Sequence, residues 1–319
     1  MEDLWIFTEN RLLANDPVIL VIVGDVRGSS PGRKGFKMAV AAGEETAGSI
    51  GGGIMEHNMV KLSVKMLNES SSSCILKRQV HSEKAGREAS GLICAGEQTH
   101  ILLPLIPSDA PKIRTIIERI ENGEVTTIKA SPDGFTVSAG MKGEQLTGIS
   151  KSRGKWLYQE TVTPPETLYI FGGGHISIPL SQLAAMLDFR VVVLDDRKGM
   201  PTMKCNKFAH SRKNIDYQRA GVEIRDPENS YVVIMTNSHA KDQYILESLL
   251  HLPIKYTGMI GSRKKVETVF SNLIENGASR EQLQKIHSPV GIDIGATTTA
   301  EIALSIAAQI VKLKNNGQE

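Results

Sequence analysis

The sequence predicts an α/β protein: a doubly wound parallel sheet in the C-terminal half and a separate α+β domain in the N-terminal half. Three observations carry this expectation. The chain has 319 residues, and at about 150 residues per domain that is a two-domain length. Pro164-Pro165 is the best linker in the chain and divides it into 1–163 and 164–319. Beyond that linker, short β-branched runs alternate with helix-length runs, the pattern of parallel strands joined by crossover helices.

The elements follow in order. Residues 3–14 form a short helix, and Pro17-Val-Ile-Leu-Val-Ile-Val-Gly24 reads as a buried strand because it is short, β-branched and bounded by Pro and Gly. The loop Gly28-Ser-Ser-Pro-Gly32 leads to a strand near 37–41, then to a second loop, Gly48-Ser-Ile-Gly-Gly-Gly53. A helix over 55–67 carries Met55, Met59, Leu62 and Met66 on one stripe, which predicts a core face. Strands are expected near 75–80 and 100–106, a helix over 110–121 ending at Asn122-Gly123, and short polar strands up to 163. The second half alternates: strands at 167–171, 190–194, 231–236 and 256–260, helices at 176–187, 241–250, 264–276 and 299–312. The glycine loops have no common spacing, so no internal repeat is expected.

Composition narrows the function classes. Hydrophobic residues make up 40% and charged residues 23%, ordinary globular values, and 37 Lys+Arg against 35 Asp+Glu give a net charge of +2. No broad basic surface for a phosphate backbone is implied, so nucleic acid is not an expected partner. The apolar run 18–24 is too short for a bilayer crossing, and Met1-Glu2-Asp3-Leu4 lacks a basic signal-peptide start, so a soluble, cytoplasmic protein without a membrane partner is expected. Cys74, Cys94 and Cys205 are odd in number and widely spaced, against both a disulfide framework and a structural zinc site. No serine-hydrolase elbow, Walker loop or His-Glu-x-x-His occurs.

The strongest motif is Leu168-Tyr-Ile-Phe-Gly172-Gly173-Gly174-His175-Ile-Ser177, strand into glycines into helix, followed by a strand ending in Asp195-Asp196. This is the layout of a Rossmann dinucleotide fold. Gly172 permits the tight turn, Gly174 lets a pyrophosphate approach the helix start, and Asp195 is placed to accept from a ribose hydroxyl. Ser177 replaces the third glycine, and Arg197-Lys198 leave NAD and NADP both open. His175 either touches a ligand or caps the helix. His239 and Asp242 begin a helix at a strand's carboxyl end, where open sheets collect ligands, though a solvated helix start explains them too. Ser262 and Arg263 follow the strand 256–260, and Arg263 offers a guanidinium suited to an anion or to solvent. In the first half, Gly28, Ser29 and Ser30, with Gly52 and Gly53, form loops with free N–H groups that suit an anion or an ordinary turn. Glu56 sits where a helix macrodipole favours an acid. Cys94 is flanked by glycines in Gly91-Leu-Ile-Cys94-Ala-Gly96, as an accessible thiol or an inert core residue.

In their order, these loops resemble the XdhC/CoxI family, accessory proteins for xanthine dehydrogenase and related molybdenum hydroxylases. The carriers are Gly28-Ser-Ser-Pro-Gly32 with Lys37-Met38, Gly48-Ser-Ile-Gly-Gly-Gly-Ile-Met-Glu56, Cys94-Ala-Gly96, Phe171-Gly-Gly-Gly-His175-Ile-Ser177, Asp195-Asp-Arg197, His239-x-x-Asp242, Met259-Ile-Gly-Ser-Arg-Lys264, and Ser288-Pro-Val-Gly-Ile-Asp293 before Glu301-Ile-Ala-Leu-Ser305. The match covers nearly the whole chain. The resemblance implies a non-catalytic maturation chaperone in purine catabolism. It would bind the molybdenum cofactor (molybdopterin), hold it while a cysteine desulfurase adds sulfur, and pass it to apo-xanthine dehydrogenase or a related hydroxylase. A homodimer is compatible with that role. Ile54 stands where many members carry Cys, and Ala95 where they carry Gly. Cys94 is therefore the one motif cysteine for molybdenum or sulfur contact, since a soft thiolate suits both. The alternatives from residues alone are an NAD(P)-dependent oxidoreductase using His175 or His239 as acid/base group, and a scaffold whose Rossmann domain only docks a partner.

Overall fold

The computed structural model describes residues 2–80, 96–144, 146–152 and 155–316. The chain divides into two compact units, Met1–Pro164 and Pro165–Glu319. Among the described residues, no helix is long and apolar enough to cross a membrane.

The first unit runs α1 (Glu2–Leu13), β1 (Val18–Gly28), β2 (Lys37–Val40), β3 (Thr46–Gly48), α2 (Gly53–Asn68), β4 (Ile75–Val80), β5 (Gly96–Leu105), α3 (Ala110–Glu121), β6 (Thr126–Ser131), β7 (Gly134–Ala139), β8 (Thr147–Ser152) and β9 (Lys155–Val162). One sheet has the order β3-β2-β1-β5-β4 and the other β7-β6-β9-β8. The central strand β1 is apolar on both faces because both are covered. Val18, Leu20 and Ile22 pack with α1, α3 and the second sheet, while Ile19, Val21 and Val23 pack with α2. The methionine stripe of α2 is core as expected, with Met55, Met59 and Met66 buried. Each such side chain contributes about 1.5–3 kcal/mol when fully buried. β1 runs past the expected end at Gly24 to Gly28, its register shifting between Val23 and Asp25. β5 starts at Gly96 rather than near residue 100, because Gln98 and Thr99, polar in sequence, are buried between β1 and β4.

The second unit runs β10 (Thr167–Phe171), α4 (Ser177–Met186), β11 (Arg190–Asp195), α5 (Pro201–Cys205), β12 (Ser211–Asn214), β13 (Ser230–Ile234), α6 (His239–Leu249), β14 (Tyr256–Met259), α7 (Arg263–Glu275), α8 (Arg280–Gln284), β15 (Ile286–His287) and α9 (Thr299–Asn316). Its sheet is parallel in every pair, in the order β12-β11-β10-β13-β14-β15. Alternate residues feed opposite faces: Leu168, Ile170, Val191 and Val193 meet α4 and α9, while Tyr169, Phe171, Val192 and Leu194 meet α6 and α7. This is the predicted doubly wound sheet. Its two edge strands, β12 and β15, were not expected from sequence. Ser-Arg-Lys-Asn is a polar run, and an edge strand needs no two-sided apolar pattern.

Candidate functional site

In the second unit the chain leaves β10 toward β11 on one side and β13 toward β14 on the other, so the switch point lies between β10 and β13. Ligands of open α/β sheets bind in the crevice outside the strand ends at such a point. Gly172 makes the tight turn there with φ 114°, and a Cβ would stand 2.4 Å from the Met235 carbonyl oxygen at the end of β13. Gly174 has open space where its Cβ would be, so nothing obstructs a ligand's approach to the backbone. Ser177 fits in the third-glycine position without loss of packing: it is fully buried and its hydroxyl donates to the Gly174 carbonyl at 2.7 Å.

The structure places Asp195, expected to accept from a ribose hydroxyl, in contacts within the chain. Its carboxylate is fully buried. It accepts from the Gly173 N–H at 2.7 Å, and from Arg197 through the backbone N–H at 2.8 Å, Nε at 2.9 Å and a terminal guanidinium nitrogen at 2.8 Å. Burial works against its ionisation, but the Arg197 bonds and the Gly173 N–H outweigh that and hold the carboxyl below its usual range. Both oxygens are therefore spoken for. Gly173 is covered as well. Thr202 donates to its carbonyl, and a Cβ on it would meet the Met203 sulfur at 2.4 Å.

The other residues at this edge separate into buried and exposed groups. His175 is exposed and caps nothing, because the N-cap of α4 is Ile176 without a side-chain bond. His239 is exposed at the first position of α6, whereas Asp242 is fully buried. Asp242 accepts from the Thr236 hydroxyl at 2.6 Å and pairs with the Lys265 ammonium, so it joins α6 to α7 and forms no dyad with His239. Ser262 is the N-cap of α7, accepting from the Lys265 N–H. Arg263 follows it, exposed. Lys241 reaches from α6 to Asp196 beyond β11 at 2.6 Å, from one side of β10 to the other. Of the motif residues at these strand ends, Gly174 has open space beyond it and His175, His239 and Arg263 are exposed, the Arg263 guanidinium being suited to an anion.

In the first unit, three motif segments converge. A Cβ on Gly96 would stand 1.9 Å from the Ser29 carbonyl oxygen, and one on Gly32 would stand 2.2 Å from that of Ile50. The loops 28–32 and 48–53 and the start of β5 therefore touch backbone to backbone, which glycine alone allows. Gln98 donates to the Ser30 hydroxyl, and His100 Nε2 lies 2.9 Å from Gln98 Oε1 in a fully buried chain. Gly28 closes β1, exposed, with φ 69°. Gly52 and Gly53 have φ 75° and 71° with open space beyond them. Glu56, on the first turn of α2, turns back into this loop. It accepts from the Ile50 N–H at 2.9 Å, the Gly52 N–H at 3.0 Å and the Ser49 hydroxyl at 2.7 Å. Burial raises its pKa, but these bonds prevail and the carboxyl sits below its usual value. The loop's donors are occupied by the chain's own anion.

Cys94 lies outside the described residues. Burial pushes the Cys74 thiol up to about 12, so it remains protonated and offers no thiolate, while Cys205 is exposed on α5. Among the described residues, no group of three or more His, Cys, Asp or Glu side chains is placed to hold one metal ion. Sequence reasoning missed the buried Lys37–Glu160 pair at 2.5 Å, joined by the Tyr158 hydroxyl at 2.8 Å. It also missed Lys265 as partner of Asp242 and Met203 as cover of Gly173. Only the Asp195-x-Arg197 spacing carried a local signal for its contact.

The comparisons with known proteins agree with this division. Residues 168–310 match a family model described as the XdhC Rossmann domain, and residues 12–78 one described as the XdhC and CoxI family. An uncharacterized protein of Escherichia coli K12, YqeB, is 27% identical over 315 residues, 98% of this chain and 46% of that protein. A Bacillus subtilis strain 168 protein, named as a probable xanthine dehydrogenase subunit, is 27% identical over 158 residues, 50% of this chain and 46% of the relative. The chain spans about half the length of the curated relatives it matches. A crystal structure from Bacillus halodurans, described as a xanthine dehydrogenase, shares the fold: TM-score 0.78, 23% identity, 98% of this chain and 96% of that one covered. With two family models matched in the same chain and in the order its motifs require, the protein belongs to the XdhC and CoxI family.

Proposed function

We propose that this protein is an accessory factor in the maturation of a xanthine dehydrogenase or related molybdenum hydroxylase. It holds the pterin molybdenum cofactor while a cysteine desulfurase supplies sulfur, and passes it to the apo-enzyme. The observation that carries the reading is membership in the XdhC and CoxI family, supported by relatives whose names refer to xanthine dehydrogenase. The donor set fits the phosphate end of the cofactor: the Gly174 turn is open, and His175 and Arg263 stand exposed at the same sheet edge. Cys94 is the residue proposed to contact the molybdenum or its sulfur. When bound, the cofactor supplies the client's molybdenum centre, while this chain binds and orients it.

The accessory reading is favoured over an NAD(P)-dependent oxidoreductase by the state of Asp195. A dinucleotide site needs that carboxylate for the ribose hydroxyls, and here Arg197 and Gly173 use it. The test is anaerobic thermal unfolding with intact cofactor, where a ligand at about 100 times its Kd adds about 2.7 kcal/mol of stability. Cys94→Ser should lower retained cofactor about 10- to 100-fold, as ligand changes at metal sites do. No stabilisation by intact cofactor, or steady nicotinamide reduction with a small substrate, would overturn the reading.

A further inference from the structure

At one end of the first unit's five-stranded sheet, β1, β4 and β5 together with β8 of the second sheet enclose a cleft of about 500 Å³. Its charged lining is Asp25, Arg27, Arg78, Glu97 and Lys151, none of them among the residues assigned above. Arg27 and Glu97 are cross-strand partners on β1 and β5, and Arg78 and Thr99 are partners on β4 and β5. A neighbouring lobe of about 220 Å³ is lined by Asp25, Arg27, Thr99, Ile149 and Lys151. Leu76 contributes an apolar wall to the larger part.

Charge counting gives the class of ligand. Lys34 pairs with Asp25 at 2.8 Å, and Arg78 pairs with Glu97 at 2.6 Å, so each acid has its own close cation. Arg27 makes only a loose contact with Asp25, at 3.6 Å with a side chain 75% exposed, and Lys151 is exposed. With Lys34 counted against Asp25, which lines the same lobe, and Arg78 against Glu97, the cluster keeps an excess of two positive charges, carried by Arg27 and Lys151. Two cations facing one small space suit a single doubly charged group better than two separate carboxylates. A cleft of about 500 Å³ is also far larger than a bare phosphate and lies in the range of small-molecule sites. Leu76 and Ile149 offer apolar contact to a body attached to that group.

We propose that this cleft binds an organic phosphate monoester, with the phosphate between Arg27 and Lys151 and the body of the ligand toward Leu76 and Arg78. The cleft belongs to the first unit, whereas the phosphate end of the cofactor is assigned above to the Gly174 edge of the second.

The experiment is calorimetric titration of the whole protein with phenyl phosphate and guanosine 5′-monophosphate, with guanosine and succinate as controls. At least one monoester should bind saturably at about 1 mM or tighter, with guanosine and succinate roughly tenfold weaker. The Arg27→Ala/Lys151→Ala double variant should weaken the monoester about tenfold at unchanged Tm, since both side chains are exposed. Arg263→Ala, in the other unit, should leave that affinity unchanged. Absence of saturable binding by both monoesters, equal binding of succinate, an unaltered double variant, or a loss produced by Arg263→Ala would each overturn the proposal.

Discussion

The glycine loops 48–53 and 172–174 look alike in sequence, and each holds a carboxylate of the chain itself, yet they obtain it differently. In the first unit Glu56 comes from one turn inside the helix that the loop begins, and it is only partly buried. In the second unit Asp195 comes from the neighbouring strand, 22 residues away from Gly173, is fully buried, and is locked by Arg197. The first arrangement is local in sequence, although the loop it holds also packs against residues 28–32. The second ties two strands and a following segment together. A glycine-rich loop therefore says that backbone donors are present and does not say whether they are available.

Asp195→Ala is the strongest way to break this comparison. It strips the Gly173 N–H and a guanidinium of their acceptor, and losing one partner of a buried pair costs about 3–5 kcal/mol, here near the lower figure because Arg197 is partly exposed. Urea unfolding of the purified variant measures it; a cost no larger than that of a Glu56 variant would put the two loops in one class. Gly172→Ala should follow at about 2–3 kcal/mol, because a left-handed backbone is combined with a 2.4 Å approach to the Met235 carbonyl. Gly52→Ala, with φ 75° and ψ −172° in a region that is nearly glycine-only but with open space beyond it, should cost somewhat less, about 1–2 kcal/mol by the same measurement.

Glu56→Gln sharpens the contrast through pH. The carboxyl of Glu56 is held below its ordinary value, so its stabilisation is complete above the unfolded pKa of about 4.3 and is lost as pH falls through the folded pKa. The variant should be about 1 kcal/mol less stable near neutrality, and the gap to the natural protein should close in acid. Thermal unfolding from pH 7 to pH 3 reads this directly. A gap that widens in acid would show that the charge of Glu56 does not hold the loop.

Much of the first level was legible in the sequence. The short continuous apolar runs Leu168 to Phe171 and Val191 to Leu194 specified buried strands, and the stripe Met55, Met59, Met66 specified the inner face of α2. Element ends were less legible where polar residues enter the core, as at Gln98 and Thr99, or where an edge strand lacks a pattern, as at β12. The candidate residues were named from motifs, but their roles were not readable. His175 and Asp195 belong to one strand-turn-helix-strand signature, and one is exposed while the other is buried and saturated.

What the sequence by itself determined was the set of strands and helices, the division into two parts and the places where backbone N–H groups gather, because these depend on periodicity, turn chemistry and glycine over short spans. What only the tertiary structure decided was which charges meet. Lys37 finds Glu160 across 123 residues, and Asp242 finds Lys265 on another helix. Side chains so far apart in the chain leave no local pattern for their pairing. Their partners follow from how the layers stack, and the loss of water around a buried charge then makes each such pairing obligatory.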